Sequence, residues 1–160
     1  MSLVIKDTDI IGKKGLWDIL IEDGIITSIS HEEEGDKILD ADGKYLSPGF
    51  VNTHTHAAMS LFRGYADDLP LQKWLEDKIW PIEENLNEEY VYWGTKLACL
   101  EMIKTGTVAF NDMYFFMESA AEAVKEMGIK AVLSYGMIDL DIVEKRDNEI
   151  EKAKGFIKEI

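Results

Sequence analysis

After Pro48 the chain alternates between two local grammars, and no other feature narrows its fold as much. Gly49 to His56 (GFVNTHTH) is β-prone and reads as a strand. A helical region follows. Pro70, just after Asp68, suits the first turn of a helix running through Trp74 and Ile79, which Pro81 is expected to break. Asp67 and Asp68 are expected to cap that helix, and Trp74 and Trp80 to pack. Asn87 is a good N-cap for a second helix, which runs to Thr105 with Gly106 as its stop. Thr107 to Tyr114 predicts a second strand. Ser119 to Met127 predicts a helix with Ala120, Ala121, Ala123 and Val124 inward, ended by Gly128. Ile129 to Asp139 predicts a third strand, and Ile150, Ala153, Phe156, Ile157 and Ile160 mark one face of a last helix. Strand and helix alternating three times imply βαβ units with parallel pairing, an α/β fold.

Residues 1–47 follow a different rule. Leu3-Val4-Ile5 is a short apolar run, and Trp17, Ile19 and Ile21 alternate with Asp18, Leu20 and Glu22 at close to period two. Asp23-Gly24 separates that run from Ile25 to Ile29, and such a pair between β-prone runs signals a hairpin whose two central residues need positive φ. Asp42-Gly43 repeats the signal before Tyr45-Leu46, and His31 to Lys37 reads as an exposed polar loop. The expected result is a small β-module of four or five short strands over 1–47, followed by a larger unit over 48–160. The last helix reaches Ile160 on its apolar stripe with no stop signal, so the chain is expected to be a portion of a longer protein.

Charge narrows the function classes. With 17 Lys and Arg against 31 Asp and Glu, the formal net charge is −14. Nucleic-acid phosphates and anionic membranes repel such a chain, so neither is expected as a partner. No basic-then-apolar leader or long apolar run is present, which predicts a cytoplasmic protein. The single cysteine, Cys99, excludes an internal disulfide and a cysteine-based zinc cluster, and its apolar neighbours predict a buried core residue.

Few residues can carry chemistry. His54 and His56 are spaced i, i+2, so in a strand both imidazoles face one side and can reach one metal ion. They also stand at the C-terminal end of the first parallel strand, the end that carries active sites in (β/α)8 barrels. The competing reading is two polar residues at a strand end. A catalytic zinc takes about three protein ligands and a water, so two histidines make half a site. His31, the third histidine, reads as a solvated loop residue. Asp112, near the end of the second strand, either faces the same mouth or, the preferred reading, is an acceptor behind the ligands or a structural hydrogen-bonding group. Glu83, just past Pro81, either projects into the mouth or is one more surface glutamate.

Pro48-Gly49-Phe50-Val51-Asn52-Thr53-His54-Thr55-His56 resembles the strand-one signature of the amidohydrolase superfamily. The continuation AAMSLFRGYADDLPLQKWLEDKIWPIEENL and residues 88–114 resemble the group containing 5′-methylthioadenosine/S-adenosylhomocysteine deaminases and the related chlorohydrolases. The resemblance implies the first three βα units of a metal-dependent (β/α)8 TIM barrel, preceded by a small β-sandwich-type module. His54 and His56 match the first two zinc ligands, and Glu83 matches a glutamate that holds ribose hydroxyls. The remaining ligands and the catalytic glutamate lie on later strands, so this portion holds no general acid or base and is expected to be inactive alone. Tyr135 stands where members accepting S-adenosylhomocysteine carry an arginine, and a second family arginine falls near Arg146. The implied activity is deamination of adenosine-type compounds with release of ammonia. Chloride displacement, deamination of cytosine or guanine, and a non-catalytic metal-binding or assembly module are the alternatives. The implied cofactor is one zinc per complete chain, or iron or another divalent metal. The implied partners are a small-molecule substrate, the remainder of the barrel and, compatibly, further copies of the chain.

Overall fold

The computed structural model describes residues 1–138 and 141–159. Two compact units emerge, Met1–Pro48 and Gly49–Ile160.

The first unit is a five-stranded sheet. Its strands are β1 (Ser2–Ile10), β2 (Leu16–Glu22), β3 (Ile25–Ser30), β4 (Lys37–Asp40) and β5 (Tyr45–Leu46). The order is β3-β2-β1-β4, with β5 also on β1. The β2–β3 hairpin turns where expected. Asp23 and Gly24 have φ of 50° and 78°, the doubly left-handed geometry whose twist matches the flanking strands. Asp42-Gly43 does something else. Only Gly43 has positive φ, at 69°, and β4 and β5 both pair with β1 in parallel rather than with each other. Asp18 also departs from the alternation, being 3% exposed. Its carboxylate accepts from the Asp7 and Glu33 amides at 3.0 and 3.1 Å and pairs with Lys6 at 3.1 Å, so burial is offset by bonds.

The second unit is a three-stranded parallel sheet, β6 (Phe50–Thr55), β7 (Thr107–Tyr114) and β8 (Lys130–Tyr135), in that order. After β6 the chain makes a 3-10 turn over Ala57–Phe62. It then forms α1 (Leu71–Trp74), a π-helical turn (Leu75–Ile79) and α2 (Trp80–Glu83) without interruption. Pro81 therefore does not break the helix. The wider π turn before it relaxes the hydrogen-bond ladder where a proline has no donor to give. Pro70 itself occupies the N-cap, and no side chain caps this helix, so Asp67 and Asp68 do not serve as expected.

The long helix α3 (Glu88–Lys104) starts at Asn87, whose side chain accepts from the Tyr90 amide at 2.9 Å, and the chain turns at Gly106 with φ of 85°. The helix α4 (Met117–Met127) starts two residues earlier than the sequence suggests and ends at left-handed Gly128. It buries Met117, Ala120, Ala123 and Val124. β8 ends at Tyr135, whereas the predicted strand continued to Asp139, which lies outside the described residues. In α5 (Val143–Glu159) the inward side is Glu149, Ala153 and Phe156, while Ile157 is 76% exposed. Ala153 and Phe156 of the predicted stripe therefore face inward, but Ile150 and Ile157 do not, and Glu149 takes an inward place because Lys152 holds it by an ion pair of 2.9 Å. Ile160 lies outside the described residues.

The core of this unit lies between the sheet and its helices. One cluster gathers Ala57, Ala98, Cys99, Phe110, Val124 and Ile129, the other Ala58, Val91, Tyr114, Met117, Ala120 and Phe156. The consecutive Ala57 and Ala58 enter different clusters, so the turn after His56 is wedged into the core.

Candidate functional site

His54 and His56 lie at and just past the C-terminal end of β6, and strand alternation sends both rings to one side. Their centroids are 5.1 Å apart, edge to face. Nδ1 of His56 is 2.6 Å from the Met113 carbonyl. A carbonyl only accepts, so Nδ1 is the donor here and Nε2 is the nitrogen left to face a metal. That carbonyl-backed arrangement is the one that orients a histidine toward a metal. The donor chemistry of these two side chains fits a divalent zinc ion. Among the described residues no group of three or more His, Cys, Asp or Glu side chains converges to hold one.

Asp112, on β7, does not join them. It is 1% exposed and its Oδ1 accepts from the Ala57 amide at 2.8 Å. Thr55 Oγ1 lies 2.8 Å from the same Oδ1 and 2.9 Å from the Asn111 carbonyl, so its one proton is shared between them. Burial pushes the Asp112 carboxyl above its ordinary range, and the Ala57 amide and Thr55 hydroxyl pull partly back. Cys99 packs in the cluster beside Ala57 and Phe110, and burial pushes its thiol up to about 11, which leaves it an unreactive core residue. His31 stays on the surface of the first unit, stacked on Trp17 at 4.2 Å.

Glu83, the last residue of α2, borders a cavity of about 420 Å³ also lined by Trp80, Phe115, Phe116, Tyr135 and Lys152. Its Oε1 accepts from the Tyr114 hydroxyl at 2.7 Å. Burial raises the Glu83 carboxyl above its usual value, while the Tyr114 bond and the nearby His56 work against the rise. The Tyr114 phenol is itself pushed far up by burial and by Glu83, so it stays a donor. Tyr135 closes β8 at the cavity wall, and Lys152, drawn upward in pKa by its bond to Glu149, also reaches the Tyr135 hydroxyl. Sequence reasoning did not find Tyr114 or the Met113 carbonyl. Period two from Asp112 places Tyr114 on the same face of β7 and was the available signal.

Similarity to known proteins places the chain in a family. A family profile described as the amidohydrolase family matches residues 45–160. The chain belongs to the amidohydrolase family. Among curated amidohydrolase-like relatives, it is 52% identical over 162 residues to a 5′-deoxyadenosine deaminase of Methanocaldococcus jannaschii, covering 99% of this chain and 38% of that protein. A 5′-deoxyadenosine deaminase of Methanoregula boonei is 60% identical over 130 residues, covering 81% of this chain and 29% of that one. The chain thus spans about 38% of the length of the first of these relatives and 29% of the second. Among solved structures, an adenosine deaminase from Xanthomonas campestris with bound zinc is 32% identical with a TM-score of 0.76. The match covers 81% of this chain and 33% of that one. A guanine deaminase from Bradyrhizobium japonicum, at 19% identity and a TM-score of 0.80 over 99% of this chain and 41% of that one, shares the fold. The mixed α/β fold is that of the N-terminal part of amidohydrolase structures.

Proposed function

We propose that this amidohydrolase chain is the N-terminal portion of a zinc-dependent aminohydrolase that deaminates 5′-deoxyadenosine and related adenosine-type compounds, releasing ammonia. The observation that carries the reading is the paired imidazoles of His54 and His56, with Nε2 of His56 freed by the Met113 carbonyl. The relatives named above as 5′-deoxyadenosine deaminases support the substrate class. On this reading residues 1–47 are part of a small β-module and 48–160 the first part of a (β/α)8 barrel, whose later strands pair with the open edges of the sheet and bring the remaining ligands and the general acid and base. The protein works in the cytoplasm, and no helix among its described residues is long and apolar enough to cross a membrane.

His54 and His56 would hold a divalent metal, whose contribution would be Lewis-acid activation of water. The chain's own residues do the rest of the work assigned to this portion. His56 presents Nε2 because its Nδ1 proton is committed to Met113. Glu83 accepts the ribose hydroxyls, and the Tyr114 hydroxyl holds its carboxylate in place. Trp80, Phe115, Phe116 and Tyr135 give the cavity an aromatic wall that excludes water from the nucleoside.

Two substitutions in the full-length protein test this. His56→Ala is expected to remove bound metal and activity together. Glu83→Gln keeps shape and metal but replaces a charged acceptor by a neutral one, a loss of about 1–2 kcal/mol, or roughly five- to thirtyfold in kcat/KM on 5′-deoxyadenosine. A free base such as adenine or cytosine, having no ribose, should show no such loss. Equal losses on nucleoside and free base would show that Glu83 does not read the sugar.

A further inference from the structure

We propose that Asp112 is a positioning residue: it clamps the two neighbours of His56 and thereby sets how tightly His54 and His56 hold their metal. This rests on the metal reading above and adds a residue to it. Three consecutive residues, 55 to 57, are tied to three consecutive residues of β7, 111 to 113. Thr55 Oγ1 is held by Asp112 Oδ1 and the Asn111 carbonyl, His56 Nδ1 by the Met113 carbonyl, and the Ala57 amide by Asp112 Oδ1. One carboxylate oxygen therefore grips the chain immediately before and immediately after the imidazole.

Asp112 works from the other side of the strand. It pairs with Thr55 in register and bonds to its side chain, and alternation puts Thr55 opposite His54 and His56. Its place in the layer is otherwise apolar, between Phe110 and Tyr114 on the same face of β7. Burying a carboxylate there is costly, and an apolar side chain would satisfy packing alone. Among the described residues the second oxygen, Oδ2, is buried with no hydrogen-bond partner, so the short bonds of the group converge on Oδ1. Its two short side-chain bonds go to the residues flanking His56, and the Met113 amide also acts on the carboxylate. Groups that back a metal ligand fix its ring orientation, and removing them typically weakens metal binding about ten- to hundredfold; Asp112 acts on that orientation through Thr55 and Ala57.

The test uses the full-length protein and three variants, Asp112→Ala, Asp112→Asn and Thr55→Val. Zinc affinity is measured by competition with a chromophoric chelator, and ligand geometry by the visible spectrum of the cobalt(II)-substituted protein. Asp112→Ala is expected to weaken zinc about ten- to hundredfold and to alter the cobalt bands. Asp112→Asn should recover most of the affinity, because its amide oxygen still accepts from Ala57 and Thr55. Thr55→Val should lose severalfold, and it decides the matter if Asp112→Ala fails to fold. Wild-type affinity and spectrum in a folded Asp112→Ala, or in Thr55→Val when Asp112→Ala does not fold, would overturn the proposal. Equal losses in Asp112→Asn and Asp112→Ala would also overturn it, since charge rather than position would then be responsible. Zinc lost in His56→Ala but kept in Asp112→Ala sinks the clamp alone. A wild-type protein that takes up no zinc sinks the metal reading and the clamp with it.

Discussion

Asp18 and Asp112 show how single buried carboxylates shape this chain. Burial acts to raise the Asp18 pKa, and the Asp7 and Glu33 amides with Lys6 outweigh it, so the group sits below its ordinary value of 3.8. A depressed folded pKa means stability that is present above the unfolded value and is lost as pH falls through the folded one. Asp18→Asn should therefore cost about 1.5–3 kcal/mol at pH 7, the range for hydrogen bonds to a charged group. The gap to wild type should start to narrow below about pH 4, where unfolded aspartate protonates, and close once the pH has passed below the folded value. Urea midpoints at pH 7 and pH 3 check this, and a gap that stays constant across the range would refute the ionic assignment. Period two in the sequence put Asp18 outside because it counts polarity and not partners. The same blindness hid Glu149, which Lys152 holds, and Tyr114, whose role depends on a glutamate 31 residues earlier in the chain. That the rings of His54 and His56 share one side of a strand end was legible because i, i+2 spacing is a local property, whereas Glu83 was singled out by a resemblance and by Pro81 before it.

At the scale of elements, the strands and the long helix follow from local signals: Asp23-Gly24 for the hairpin, Asn87 and Gly106 for the ends of α3. Pro81 misleads because the π turn that tolerates it leaves no mark in composition. The packing of α3 was also invisible. Its buried positions Val91, Gly94, Thr95, Ala98 and Cys99 are mostly small, which lets the turn after His56 approach the helix backbone closely. A Cβ at Gly94 would meet the Ala58 carbonyl oxygen at 2.5 Å and its Cα at 2.9 Å. Backbone atoms cannot swing aside as a flexible side chain can. Gly94→Ala should thus lose about 1–3 kcal/mol to overpacking, more than the roughly 1 kcal/mol that alanine gains over glycine in a helix. Ala57 and Ala58 directly follow His56, so zinc affinity should fall with stability. Denaturant melts and zinc titration read both. A Gly94→Ala protein more stable than wild type by the helix-propensity gain would show that the contact yields freely.

For the whole molecule, two opposing terms decide how the 160-residue chain behaves by itself. β6 and β8 are edges of the parallel sheet, each paired on one side only. Phe50, Val51 and Val132 on those strands are 67%, 62% and 67% exposed. Unpaired, apolar strand edges template pairing with another chain. Against this stands the net charge of −14, which repels like copies. Repulsion acts over a Debye length of about 30 Å at 0.01 M salt and about 8 Å at 0.15 M, whereas strand pairing and apolar contact act at touching distance. The chain should accordingly stay dispersed at low salt and associate as salt rises, with light-scattering mass increasing with concentration. Val51→Lys with Val132→Lys should suppress the association by placing charges on both edges. The full-length protein, in which the later strands of the proposed barrel cover these edges, should show no such salt response. A 160-residue chain that remains monomeric at 0.15 M salt with a single cooperative melt would mean that the exposed edges are already self-protected, and would remove the physical reason for expecting the rest of the barrel to pair there.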